Sequence, residues 1–224
     1  MIPLKKIKGI LNTISTVSQK LGNRLEGFTH SLLQVLLGLA ATLTAALEQR
    51  NMVLSGTVNL LKTLRHTVLI RLIEFFENFE DLDYSVKEID AVFHAVVWPQ
   101  SEKLVLEGVH HPTPLLKLFS FWSQCNRFLP LLTKTKDSED LSSPLHAVFA
   151  LLNAPAIDSS VATAILELVS CLLQSSEERD RGHQLPPLPE PYAYVPDTEE
   201  RKLGEAILLT HIPMLLSYLQ HSLR

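Results

Sequence analysis

The sequence predicts an all-α protein, and within that class a HEAT-like helical-repeat (α-solenoid) segment. Three observations predict it. Apolar residues recur at helical spacing almost throughout the 224 residues. Glycine is scarce, at 8 residues, which fits helices joined by short breaks better than a sheet that needs many tight turns. Two helix starts are marked by a capping side chain followed at once by proline, Thr113-Pro114 and Ser143-Pro144. With 46% hydrophobic and 20% charged residues, the chain carries enough apolar material for a sizeable core and does not have the composition of a disordered polymer.

Taken in order, the first strong element lies between Phe28 and Leu47, where Leu32, Leu33, Val35, Leu36, Leu39, Ala40, Leu43 and Leu47 cover more than one helix face. No charged residue occurs from Gly27 to Leu47, a length near the roughly 20 residues that cross a bilayer. Thr29, His30, Gln34, Thr42 and Thr44 dilute the run, and no aromatic belt frames its far end. A helix buried by its neighbours gives the same pattern. The alternative is a membrane-associated helical protein spanning at about residues 27–47. A second helix is expected from about Met52 to Phe79, its apolar stripe running through Val58, Leu61, Leu64, Val68, Leu72, Phe75, Phe76 and Phe79. Ser85 then reads as an N-cap, with Glu88 as its capping-box partner. The helix it opens carries Ile89, Val92, Phe93, Val96 and Val97 and is expected to stop near Pro99.

Thr113-Pro114 opens a helix with Leu115, Leu116, Leu118, Phe119 and Trp122, and Ser143-Pro144 one with Leu145, Val148, Phe149, Leu151 and Leu152. Between them, Asn126 to Leu132 suits a short helix or turn around Pro130. Asp158 or Ser159 starts a helix holding Val161, Ile165, Leu168, Val169 and Leu172. Residues 175–197 differ in kind: charged SSEERDRGHQ leads into LPPLPEPYAYVPD, dense in proline and without helical period, expected as an exposed linker or long loop of polyproline character. Asp197 or Thr198 then caps a last helix pair, Glu199 to Leu209 and Pro213 to Leu223. The expected layout is thus helical repeats over 1–174, a proline-rich linker or long loop over 175–197, and a C-terminal helix pair over 198–224. No strict repeat of the tetratricopeptide or ankyrin kind is present. Degenerate helix pairs suit the HEAT class, and a globular bundle stays open.

Net charge is −4, so the chain as a whole is no polycation built to coat nucleic acid. The charge is unevenly spread. Up to His66 the cations are Lys5, Lys6, Lys8, Lys20, Arg24, Arg50, Lys62 and Arg65, against Glu26 and Glu48. From Glu74 to Asp90 the balance reverses, with seven carboxylates facing Lys87 alone. Lys5, Lys6 and Lys8 are the compact basic group, able to touch phosphates without reading sequence, or to meet an acidic partner.

Cys125 and Cys171 cannot build a disulfide framework, no N-glycosylation sequon occurs, and the N-terminus lacks a signal-peptide pattern, so an intracellular chain is expected. Signatures of catalysis and cofactor binding are missing: no phosphate-cradling glycine loop, no H-E-x-x-H, no G-x-S-x-G. His110-His111, with His94 and Cys125 nearby in sequence, is the best metal candidate, yet adjacent histidines point apart and no C-x-x-C supports them. Trp98, Trp122 and the phenylalanines fall at core spacing rather than as base-stacking platforms. The expectation is therefore a non-enzyme with no catalytic residue, cofactor or metal and no small-molecule substrate.

The run from Phe75 to Leu132 resembles the U3 small nucleolar RNA-associated protein 20 family, also called down-regulated in metastasis. Its most telling pieces are VVWPQ (Val96 to Gln100), HPTPLLKL (His111 to Leu118) and FWS (Phe121 to Ser123). The resemblance extends over about Met52 to Leu173 and weakens toward both ends. It implies a HEAT-repeat scaffold of the small-subunit processome in the nucleolus, acting in pre-rRNA processing. Its partners would be pre-ribosomal RNA and U3 ribonucleoprotein or processome proteins. Family members are much longer than 224 residues, so a fragment is expected. None of these pieces is a catalytic motif, so no functional residues carry over.

Overall fold

A computed structural model describes residues 4–49, 55–136, 142–174, 186–192 and 203–222. Among them all regular structure is helical and no strand occurs, so the protein is all-α. The chain divides into two units, residues 1–82 with 87–99, and residues 83–86 with 100–224.

The first unit is built on α1 (Leu4–Leu21), α2 (Thr29–Glu48) and α3 (Ser55–Asn78). The first of these has no counterpart among the expected elements; its buried residues Ile7, Leu11 and Ser15 recur at i, i+4, i+8. Gly22 ends it with φ +46, a left-handed conformation that glycine adopts without a β-carbon clash. A 3-10 stretch, Gly22–Phe28, then turns the chain into α2. Packing of α2 and α1 on α3 buries Leu33, Leu36, Ala40 and Leu43 together with Leu61, Leu64, Val68 and Leu72. One crevice is lined by Ile14, Ser15 and Ser18 of α1, Leu32 and Leu36 of α2, and Arg71, Glu74 and Phe75 of α3. The late part of α1, the early part of α2 and the late part of α3 therefore lie at one level. From that level the early residues Ile7 and Leu11 of α1 are buried too, and α1 and α2 each pack along α3, so α1 runs parallel to α3 and α2 antiparallel to it.

Helix α4 (Val86–Val92) begins directly after Ser85, as expected. It does not stop near Pro99. A π-helical turn, Phe93–Val97, leads into α5 (Trp98–Glu107), which runs on through the proline. The Trp98 backbone N–H donates to the Phe93 carbonyl, five residues back. That wider turn makes room for the pyrrolidine ring, and Pro99 lands in the first turn of the new α register, where its missing N–H breaks no helical bond. Phe93, Val96 and Val97 are buried and pack on α2.

The second unit holds α6 (Pro114–Ser123), a 3-10 stretch Asn126–Thr133, α7 (Pro144–Leu152), α8 (Ser159–Leu173), α9 (Leu203–Leu209) and α10 (Ile212–Ser222). The three helix starts of the sequence are real caps. Thr113 Oγ1 accepts from Leu116 N at 3.3 Å, Ser143 Oγ from His146 N at 3.1 Å, and Asp158 Oδ1 from Ser160 N at 2.8 Å. Helix α6 lies on α8 and the 3-10 stretch, and α7 on both as well, around Phe119, Trp122, Phe128 and Phe149, all without exposed surface. Arg127 is buried with its guanidinium 5.5 Å from the Tyr84 ring and 5.9 Å from the Phe128 ring. Helix α9 rests on α8 through Gly204, where any β-carbon would overlap the Leu172 carbonyl. In the proline-rich stretch, Leu188 and Tyr192 are buried and Lys134 sits 4.4 Å from the Tyr192 ring centre, while Pro186, Pro187 and Pro191 are exposed. The expected cap at Asp197 or Thr198 lies outside the described residues.

Candidate functional site

Lys5, Lys6 and Lys8 stand exposed on the first two turns of α1, Lys5 and Lys6 away from its buried stripe and Lys8 beside it. No acidic residue occurs anywhere in α1. Their neighbours along the fold follow from the crevice that sets the common level. Lys5 to Lys8 lie about nine residues, roughly 14 Å, before Ile14–Ser18 along α1, and Lys62 and Arg65 lie the same distance before Arg71–Phe75 along α3. Because α1 and α3 are parallel, both groups fall at one end of the first unit. Lys62 is exposed and Arg65 half-buried; Glu48 closes α2 at the same end.

The opposite end is richer in carboxylates, although it also holds Lys20 in the last turn of α1. Glu74 pairs with Arg71, and Glu77 is exposed in the last turn of α3. Partial burial, and then the charges of Glu74 and Glu80, hold the Glu77 carboxyl above its usual range. Glu88 is buried, with its Oε1 2.7 Å from His30 Nδ1. The charge asymmetry of the sequence thus becomes a spatial one.

The remaining candidates scatter. His110 and His111 are both exposed, in the loop whose Val109 carbonyl accepts from Asp158 N at 2.9 Å. They help lower the Asp158 pKa, after its hydrogen bonds with Ser160. Cys125 is buried and His94 exposed, and among the described residues no three His, Cys, Asp or Glu side chains gather as for a metal ion. Trp98, Trp122, Phe75, Phe76, Phe79, Phe93, Phe119 and Phe128 are buried and Phe121 half-buried, so these aromatics serve the cores and offer no stacking platform.

Helix α2 is long and apolar enough to cross a membrane by length and composition. Its apolar residues, however, are turned inward: Leu33, Leu36, Leu37, Leu43 and Leu47 are buried against protein. Its exposed positions are His30, Ser31, Gln34, Val35, Gly38, Ala41, Thr42, Ala45 and Glu48, mostly small and polar groups that lipid would not favour. The pattern is that of a core helix. Lys62 is the site residue that the sequence reading did not join to Lys5–Lys8. The signal that could have found it is the shared charge sign; without α1 recognised as a helix, nothing aligned the two.

Fold and surface together define an all-α protein of packed amphipathic helices whose most distinctive surface is a segregated charge rather than a cleft. Residues 1–224 match the model of U3 small nucleolar RNA-associated protein 20, N-terminal, and the chain belongs to that family. The match takes in both ends of the chain, where the resemblance was weak. Membership implies a role with the small-subunit processome in ribosome biogenesis, in association with RNA.

Proposed function

We propose that the chain is a non-catalytic, helical-repeat scaffold segment of the small-subunit processome, acting in pre-rRNA processing and small ribosomal subunit biogenesis in the nucleolus. The observation that carries this reading is the family match over residues 1–224 of a chain whose helices are amphipathic and pack in pairs. A helical-repeat surface of this kind is ordered before it meets a partner, so many weak contacts add without a further ordering cost. On this reading residues 1–174 are HEAT-like repeats, 175–197 a linker or long loop and 198–224 a helix pair. Lys5, Lys6 and Lys8 would contact nucleic acid or a protein partner. The partners are pre-ribosomal RNA and the U3 ribonucleoprotein and processome proteins.

The test is affinity purification of the tagged chain from cells, with sequencing of bound RNA. Recovery of U3 or pre-ribosomal RNA above an untagged control is the expected result. A preparation free of both, from cells in which the chain is expressed and folded, would remove the reading.

A further inference from the structure

We infer that the basic end of the first unit, formed by Lys5, Lys6 and Lys8 of α1 with Lys62 of α3, is a binding surface for the phosphate backbone of RNA. The inference rests on the processome reading for its choice of partner and adds the site and its chemistry.

The first ground is placement. The parallel course of α1 and α3 brings Lys62 to the level of Lys5, Lys6 and Lys8, some fifty residues earlier in sequence. Packed helices stand about 8–10 Å apart, so the patch is wider than a single helix face.

The second ground is that this arrangement works against helix stability. The N-termini of α1 and α3 both lie at this end, each carrying a partial positive charge; the C-terminus of α2, with Glu48, offsets one of them. Stability alone would favour Asp or Glu in those first turns. Neither helix has one, and α1 has Lys5 and Lys6 instead. At the far end, where the C-termini of α1 and α3 would favour cations, α1 carries Lys20 as expected, but α3 carries Glu77 in its last turn and no basic residue. Charges placed against the helix dipoles are not explained as solvated helix faces; departures from local rules of this sort concentrate where a surface has a second task.

The third ground concerns what kind of contact the patch can make. Lysines on long stems meet phosphates as adaptable point charges, and no large aromatic side chain stands among them to stack on a base. The surface therefore fits backbone contact without sequence readout. Since the whole chain is negatively charged, such binding must be local and steeply weakened by salt.

The experiment uses the full chain and a fluorescein-labelled RNA hairpin of arbitrary sequence, followed by fluorescence anisotropy. Affinity should fall linearly with salt on a log–log plot, with slope about −3 for four lysines. Lys5→Gln/Lys6→Gln/Lys8→Gln/Lys62→Gln should weaken binding more than tenfold with helicity by circular dichroism unchanged. Lys20→Gln/Arg24→Gln/Lys87→Gln, which removes three exposed cations away from the patch, should stay within twofold of the parent. Equal losses in the two variants would reduce the effect to net charge and overturn the site. Unchanged affinity in the quadruple variant would overturn it as well, as would tighter binding to a labelled poly-glutamate peptide than to RNA, which would assign the patch to an acidic protein. Failure here leaves the co-purification of U3 or pre-ribosomal RNA untouched, and failure of that co-purification leaves the phosphate affinity of the purified chain untouched, so the two ideas fall separately.

Discussion

Trp122 shows how much one side chain of the second unit carries. It has no exposed surface and its ring centre lies 5.7 Å from that of Phe119. Trp122→Ala should cost about 3–5 kcal/mol in urea unfolding, the transfer term and the cavity together; a loss below about 0.5 kcal/mol would mean a surface ring. His211 is a different case, a titratable group used as a packing element. Its ring stacks on Phe149 at 5.2 Å, and its Nδ1 lies 3.3 Å from the Ile207 carbonyl oxygen. Burial depresses its pKa, helped by nearby His146 and opposed by the bond to Ile207. A histidine whose folded pKa lies below its ordinary value of about 6.5 takes up its proton more readily in the unfolded chain. Its contribution is complete above that value and is lost as pH falls through it. Thermal melts of His211→Phe, which keeps a ring on Phe149, should therefore decline less between pH 7.5 and 5.5 than those of the parent. Parallel declines would mean that other groups set the pH dependence.

At the scale of elements, the helices that the sequence announced are those whose signals are local. Thr113, Ser143 and Asp158 cap their own helices through atoms two or three residues away, so reading along the chain was enough. Helix α1 was missed although Leu4, Ile7, Leu11 and Ile14 recur at i, i+3, i+7 and i+10; the lysines, threonines and serines between them masked a stripe that was legible in the sequence. The turn at Pro99 was misjudged for a different reason. Proline forbids one α-helical bond, but a π turn shifts the ladder before it arrives, and burying Phe93, Val96 and Val97 offsets the weaker geometry. Close approach is equally invisible in sequence. Gly204 looks like an ordinary interior glycine, one whose replacement by alanine would gain about 1 kcal/mol from helix propensity alone. Packing reverses the sign, because the new β-carbon would overlap the Leu172 carbonyl, backbone that cannot swing away. Gly204→Ala should destabilise by about 1–3 kcal/mol in urea, through overpacking. Stabilisation would show that α9 does not sit on α8 at this distance.

Over the whole molecule, the uneven charge was plain from the sequence, whereas its consequence needed the helix directions. The division between Pro99 and Gln100 left no compositional trace, since it falls inside one continuous helix. Among the described residues, the first unit sets Lys5 and Lys6 at the N-terminus of α1 and Glu77 at the C-terminus of α3. Screening such charges removes more repulsion than attraction, so salt should stabilise this unit and leave the other nearly indifferent. The chain supplies its own reporters, with Trp98 buried in the first unit against Phe93 at 4.9 Å, and Trp122 buried in the second. In urea unfolding followed by tryptophan fluorescence, Trp122→Phe leaves Trp98 to report the first unit, and Trp98→Phe leaves Trp122 to report the second. Raising sodium chloride from about 0.05 to 0.5 M shortens the Debye length from roughly 14 to 4 Å, well below the span of the charged ends. The Trp98 midpoint should then move to higher urea by more than the Trp122 midpoint. Equal shifts would show that salt acts on burial in general, and a larger shift at Trp122 would mean that the charge separation in the first unit costs its fold nothing.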